Sequence, residues 1–233
     1  MLAIAAPMAT ELSGIRRAIR DPESRGLCFY VTGIGKTATI TGFVPIAQVR
    51  PKAVIMAGFC GSADPGLRTG DLHVAASFRL GENNSIFADA ELSSAMFASA
   101  RSQGVNVSDE PSLTVGSIAG PATKAELRRS AGIASVNMED YWAASAAAAA
   151  GVPFASVRAV LDTADQSLPE HLTATDVRPA RVVLNAVIRP GRLPTLLKLA
   201  MQSRSACRNL TRCVLDTIDA LAVAQPIPRE VPP

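Results

Sequence analysis

The stretch VPFASVRAVLDTAD, residues 152–165, decides the fold that the sequence predicts. It holds a short apolar run, Phe154–Val160, that ends just before an acid, Asp162. A run of this length is typical of a buried strand. Similar runs occur at Leu2–Ala6, Leu27–Thr32, Ala53–Met56, Leu72–Ser77, Leu113–Ser117 and Ile133–Val136. Helical patterns lie between them, at Ala9–Ile19, Thr37–Val49, Asp89–Gln103, Thr123–Ser130 and Glu139–Ala150. This alternation predicts an α/β fold with a mainly parallel sheet covered on both faces.

The composition narrows the class of protein. The chain has 233 residues, of which 48% are apolar and 18% charged, so intrinsic disorder is excluded. We expect one domain over residues 1–224 and a disordered, proline-rich tail over 225–233. The two histidines are too few for a His-based zinc site, and the four cysteines form no CxxC pair. The sequence therefore predicts no metal and a cytoplasmic protein with free thiols.

The basic residues are concentrated near the end of the chain. The formal charge of +3 combines a mildly acidic body with the segment 177–215, which has eight Lys or Arg and no acid. Within a predicted amphipathic helix over about 193–224, Arg204, Arg208 and Arg212 recur every four residues on one face. This face is open to three interpretations: a solvated surface, a contact with anionic membrane lipid, or an oligomer contact. We expect no nucleic-acid partner.

A glycine-rich turn, Gly33–Thr37 (GIGKT), looks at first like a nucleotide-binding motif. The P-loop pattern requires glycine at position 30, which is Tyr30, and the dinucleotide pattern fails at Ala38. The plain interpretation is a tight turn from strand to helix, whose first amides could face an anion.

Three acids follow predicted strands. Glu11 comes after the first strand, Glu139 after Ile133–Val136, and Asp162 after Phe154–Val160. Since ligands of parallel sheets bind beyond the carboxyl ends of the strands, these acids could converge on one edge. Several carboxylates suit the cleavage of a bond to a sugar, which needs an acid, a base and stabilisation of an oxocarbenium-like state.

Five motifs in order carry a family resemblance: AAPMATE (5–11), TGIGK (32–36), AGFCGSADPGLRTGD (57–71), VNMED (136–140) and VPFASVRAVLDTAD (152–165). Together they resemble the superfamily of nucleoside phosphorylases and methylthioadenosine/S-adenosylhomocysteine nucleosidases. This resemblance implies a three-layer α/β/α sandwich around a mixed, twisted central sheet. The segments DTADQSLP (162–169), KAEL (124–127) and PGRLPTLL (190–197) look like the hopanoid-associated branch, which is thought to remove adenine from adenosylhopane.

The resemblance implies roles for single residues. Asp162 matches the acid that protonates the purine, and Glu11 matches the glutamate that deprotonates the attacking water. Glu139 matches the carboxylate that binds the ribose hydroxyls, with Met138 and Met8 beside the sugar. For these acids the alternatives are helix-cap or surface roles.

Other residues are candidates for the base and for phosphate. Phe59, Cys60 and Gly61 match a loop that contacts the base or sugar. Gly35, Lys36 and Arg158 could bind phosphate, although Arg158 could equally anchor Glu139. Whether water or phosphate attacks is open at this point.

The resemblance leaves two other functions open. One is a methylthioadenosine/S-adenosylhomocysteine-type nucleosidase, and the other is a membrane-associated nucleoside-binding protein without activity. No cofactor is implied, phosphate being at most a co-substrate. We expect a homo-oligomer that acts on a small, possibly lipid-linked nucleoside, in the cytoplasm or at the inner face of the membrane.

Overall fold

Strands and helices alternate along the chain. The structure, a computed structural model, describes residues 1–166 and 193–224, with side chains for 1–166 and 203–222. The strands are β1 Leu2–Ala6, β2 Leu27–Val31, β3 Ala53–Ser62, β4 Leu72–His73, β5 Ser77–Leu80, β6 Asn84–Phe87, β7 Val107–Ser108, β8 Ser112–Thr114, β9 Ser135–Asn137 and β10 Phe154–Asp162. The helices are α1 Ala9–Ala18, α2 Gly35–Val49, α3 Ala90–Arg101, α4 Pro121–Ala131, α5 Asp140–Ala150 and α6 Leu193–Ala224.

The long strand β3 is the centre of one mixed sheet. Its residues 53–56 pair with β1, most of its length pairs with β10, and residues 61–62 pair with β9. The pairings of β3 with β9, β10 with β4, and β5 with β6 are antiparallel, and the others among the described strands are parallel. The expected α/β fold with a mixed central sheet is confirmed.

Helices cover both faces of this sheet, because successive strand residues point to opposite sides. Ile55 of β3 packs in one apolar cluster with side chains of α1, α3 and α6, among them Leu12, Met96 and Leu210. Its neighbour Met56 packs in a second cluster with α2 and α5. The three layers predicted from the family resemblance are therefore present.

Several element boundaries predicted from the sequence are wrong. The single strand predicted at Leu72–Ser77 is two strands, β4 and β5, because the backbone between them bonds to the carbonyls of Ser108 and Asp109. Strand β6 was missed because its residues are mostly exposed and show no apolar pattern. Strand β10 extends beyond its apolar run, so Asp162 is its last residue.

Helix α6 packs with one face on the domain. Ala206, Leu210 and Val214 are buried in the first apolar cluster, whereas Arg204, Arg208 and Arg212 are exposed. No helix in the described part of the chain is long and apolar enough to cross a bilayer. Residues 167–192 and the proposed tail 225–233 lie outside the described residues, as does part of the hopanoid-associated motif at 190–197.

Candidate active site

A cleft of about 170 Å³ opens where β1, β3, β9 and β10 end. Most of the side chains that the sequence singled out line it: Met8, Glu11, Phe59, Cys60, Gly61, Met138, Glu139, Arg158 and Asp162. The structure thus brings all three predicted acids to one cleft. Gly35 and Lys36 are not among its lining residues.

Glu11 is a buried carboxylate in the first turn of α1, not a surface acid. Its Oε2 accepts a hydrogen bond from the backbone N–H of Met8, and its Oε1 accepts one from that of Phe59, both at 2.8 Å. Burial raises its pKa to about 7, against the opposing effects of the Arg158 charge and these two hydrogen bonds. A carboxylate with this pKa suits a general base near neutral pH.

Arg158 lies in the middle of β10 and is bound by acids. Its Nε donates to Oδ1 of the buried Asp140 at 3.1 Å, and its Nη1 lies 3.4 Å from Oε2 of Glu139. Nη1 also donates to the carbonyl of Phe59 at 3.3 Å. These contacts correspond to the anchoring interpretation of Arg158, since its donors already have protein partners.

Glu139 is the N-cap residue of α5, next to the strand β9. Its backbone N–H donates to Oδ1 of Asn137 at 3.0 Å, and its Oε1 accepts from the backbone N–H of Gly35 at 3.2 Å. Burial raises the pKa of Glu139, while the Arg158 charge lowers it. The carboxylate is therefore fixed in orientation at the edge of the cleft.

Asp162 is at the other end of the cleft and forms an ion pair with Lys124 of α4. Asp162 is 4% exposed and Lys124 is 1% exposed, so the pair is shielded from water. Burial raises the pKa of Asp162, and the Lys124 ammonium opposes this shift.

The family resemblance implies a loop at Phe59, Cys60 and Gly61, but these residues lie near the end of strand β3. An added Cβ at position 61 would lie 3.0 Å from Oδ2 of Asp162, so a larger residue there would have to displace this carboxyl. Burial raises the pKa of the Cys60 thiol to about 12, so it remains protonated and is a poor nucleophile.

The two candidate phosphate ligands of the glycine-rich turn have other partners. The amide of Gly35 bonds to Glu139, and the Lys36 ammonium lies 4.6 Å from the centre of the Trp142 ring. The turn does place helix amides near an anion, but this anion is the carboxylate of Glu139.

Sequence reasoning gave no role to Lys124 or Asp140, which hold Asp162 and Arg158 in the cleft. Asp140 follows Glu139 directly, and the sequence marks it only as part of the motif VNMED. The one signal for Lys124 was its place in the KAEL segment. Within the described part of the chain, no His, Cys, Asp and Glu side chains are grouped to hold a metal ion.

Known proteins resemble this chain in sequence and in fold. The family model for the phosphorylase superfamily matches residues 25–187, which include Glu139, Arg158 and Asp162. A comparison with curated proteins finds no match.

Solved structures share the fold at low sequence identity. The methylthioadenosine/S-adenosylhomocysteine nucleosidase of Neisseria meningitidis, in complex with methylthio-immucillin-A, has a TM-score of 0.73 and 18% identity, over 94% of this chain and 98% of that one. The futalosine hydrolase of Helicobacter pylori has a TM-score of 0.69 and 15% identity, over 94% and 97%. Because the family model spans more than half of its length, the chain belongs to the phosphorylase superfamily.

Proposed function

We propose that the chain cleaves the N-glycosidic bond of an adenine nucleoside, and that this nucleoside is adenosylhopane in hopanoid biosynthesis. The observation that carries the proposal is the convergence of Glu11, Glu139 and Asp162 on one buried cleft. Each of these acids follows or ends a different strand, and each has a separate set of partners. Such an arrangement can supply a base, a sugar ligand and an acid at the same time.

The chemistry divides among the three acids. Asp162 gives its proton to the base, and the bond from C1′ to the base breaks with its electron pair going to the base. Glu139 binds the ribose hydroxyls, and its negative charge favours the developing oxocarbenium ion. Water then attacks C1′ and gives its proton to Glu11, while Met8 and Met138 pack beside the sugar.

Water is the proposed nucleophile. Glu11 has the pKa of a base that works near pH 7. The three candidate phosphate ligands, Gly35, Lys36 and Arg158, contact Glu139, Trp142 and Asp140 respectively. Phosphate binding would require at least one of these contacts to be replaced.

A lipid-linked substrate suits the rim of the cleft. Ile34, Val115 and Ile118 line it, and Ile118 is 37% exposed although it is apolar. Phe59 adds a bulky apolar side chain to the lining. These features, with the hopanoid-associated motifs, support adenosylhopane over a small thioether nucleoside.

The experiment is to incubate the protein with adenosylhopane or methylthioadenosine, with and without phosphate, and to follow adenine release. We expect adenine from adenosylhopane in both buffers. Adenine from methylthioadenosine alone would favour the methylthioadenosine/S-adenosylhomocysteine-type nucleosidase, which the shared fold also accommodates. No adenine from either substrate would defeat the enzyme proposal and leave a nucleoside-binding protein.

We also propose that α6 contacts anionic lipid at the inner face of the membrane. The exposed Arg204, Arg208 and Arg212 lie opposite the buried face of the helix. Replacing all three by Gln should abolish sedimentation with anionic liposomes at low salt, since each basic residue near such a surface adds about 1 kcal/mol. The matched control replaces the exposed Arg17, Arg20 and Arg101 by Gln. Equal sedimentation of both triple variants would contradict the proposal.

The expected homo-oligomer stays a proposal as well. Its support is the apolar surface of α2, where Ile40 and Val44 are 43% and 50% exposed. Sedimentation equilibrium of the full chain tests it, and a monomer at all concentrations would contradict it.

A further inference from the structure

Lys124 is the one buried residue of helix α4. The helix begins at Pro121 after an N-cap glycine, Gly120, and Lys124 lies one turn further on. Its side chain is 1% exposed and lines the cleft. Lysine is almost never fully buried unless its charge is paired, so a specific partner is expected.

The ammonium of Lys124 has three acceptors for its three N–H groups. It contacts Oδ2 of Asp162, the carbonyl of Thr163 at 2.9 Å and the carbonyl of Gln166 at 3.1 Å. An ammonium has three N–H groups, one for each of these acceptors. Lys124 therefore holds both the carboxyl of Asp162 and the turn that follows β10.

Few other titratable groups face Asp162. Among the described residues, the Cys60 thiol approaches it from β3, and this thiol keeps its proton because burial raises its pKa to about 12. Arg158 forms ion pairs with Asp140 and Glu139 at the other end of the cleft. The charge state of Asp162 thus depends mainly on Lys124 and on burial.

We propose that Lys124 is a positioning residue of the proposed reaction: its ammonium holds the carboxyl of Asp162 in the cleft and stabilises the carboxylate that remains after Asp162 has given its proton to the departing base. The inference rests on the proposed function. Nothing in the family match or in the shared fold assigns this role to a lysine of α4.

The step keeps its atoms and charges in balance. The Asp162 proton moves to a ring nitrogen of the base as the bond from C1′ to the base breaks, and the electron pair of that bond goes to the base. Asp162 becomes a carboxylate beside the ammonium, which gains and loses no proton. Water supplies the new oxygen on C1′, and its proton goes to Glu11.

Burial and the ammonium have opposite effects on this acid. Without a cation, a desolvated carboxyl holds its proton tightly and is a weak acid. An adjacent opposite charge favours ionisation, typically by about one to three pH units for Asp. Lys124 therefore makes Asp162 a stronger acid than burial alone would allow.

The first experiment measures the titration of Asp162 directly. The chain is labelled with ¹³C at the aspartate carboxyls, and the Asp162 signal is assigned by its absence from Asp162→Asn. Lys124→Met should raise the titration midpoint of Asp162 by about one pH unit or more, whereas Lys124→Arg, which keeps the charge, should leave it near the wild-type value. Equal midpoints in the wild type and Lys124→Met would overturn the proposal. Should Lys124→Met fail to fold, Lys124→Gln takes its place.

The second experiment separates this role from a merely structural one. Lys124→Met should lower adenine release by about tenfold or more, which is part of the roughly 10²–10⁴-fold that a general acid contributes. It should change the cleavage of p-nitrophenyl riboside by less than about threefold, because p-nitrophenolate leaves without a proton. Equal losses for both substrates would show that Lys124 only supports the fold, and would overturn the proposal.

The two experiments distinguish a failure of the proposed function from a failure of the inference about Lys124. If the wild type releases no adenine from any nucleoside, the proposed function fails, and the titration still reports whether Lys124 controls Asp162. If the wild type is active but the Asp162 titration ignores Lys124, the inference alone fails.

Discussion

The two ends of the cleft balance their charges in different ways. At one end Arg158 contacts Asp140 and Glu139 and lies near Glu11, so three carboxylates share one cation. At the other end Asp162 is the one carboxylate paired with Lys124 among the residues that the structure describes. The excess of carboxylates at the first end suits a sugar that becomes positive, and the matched pair at the second suits an acid that must become negative.

Breaking the Arg158 end should have the largest effect. Arg158→Met leaves Asp140 buried without its cation, with Glu139 and Glu11 close by. Removing one partner of a buried ion pair costs about 3–5 kcal/mol, so urea denaturation should show a loss of this size in the free energy of unfolding. Arg158→Lys serves as the control that keeps the charge. A variant as stable as the wild type would mean that these acids are neutral in the folded protein.

Breaking the Lys124 end should cost less. Lys124→Met leaves a single unpaired carboxyl, Asp162, which can take up a proton. We therefore expect the free energy of unfolding to fall by about 1–3 kcal/mol at pH 8. The pKa of Asp162 is higher in the folded variant than in the unfolded chain, so the stability of the variant falls as the pH rises above the unfolded-state pKa. The difference in the free energy of unfolding between the wild type and the variant should therefore be smaller at pH 5 than at pH 8. Denaturation of the wild type and the variant at both pH values measures this, and a loss independent of pH would contradict it.

The pKa of Glu11 should set the pH dependence of cleavage at the Arg158 end of the cleft. Glu11 must be ionised to accept a proton, and half of it is ionised at about pH 7. With p-nitrophenyl riboside, which needs no acid, kcat/KM should therefore fall about tenfold per pH unit below pH 7. In Glu11→Gln this fall of kcat/KM at low pH should be absent. If kcat/KM instead falls only below about pH 4.5, the ordinary pKa of glutamate, burial does not control the pKa of Glu11.

A substitution outside the cleft, at Lys36, should change the rate of adenine release least. Lys36 contacts Trp142 and does not line the cleft. Lys36→Met should change the rate of adenine release by less than about threefold, in line with most surface substitutions. Rates with and without phosphate measure this. A loss of more than tenfold that appears only with phosphate would mean that Lys36 binds phosphate and that water is not the nucleophile.

The sequence predicted the fold better than it predicted the contacts within the site. Strand β1 matches its predicted bounds, because a short apolar run between polar residues has few other interpretations. The three acids could be found because each follows or ends a strand. Glu11 and Asp162 reach the cleft from strands parallel to β3, whereas Glu139 follows β9, which is antiparallel to β3. Lys124 meets Asp162 from 38 residues away, and nothing local marks a lysine in a polar helix as buried. The glycine-rich turn was ambiguous because its amides suit any anion, including the carboxylate of Glu139.

The most direct test of Asp162 as the acid and Glu11 as the base compares Asp162→Asn and Glu11→Gln with two leaving groups, adenine and p-nitrophenolate. Asp162→Asn should lower adenine release about 10²–10⁴-fold and leave p-nitrophenyl riboside cleavage within about threefold of the wild type. Glu11→Gln should lower both, since water must be activated in either case. The opposite result, equal losses for both leaving groups in Asp162→Asn, would contradict the account of an acid at one end of the cleft and a base at the other.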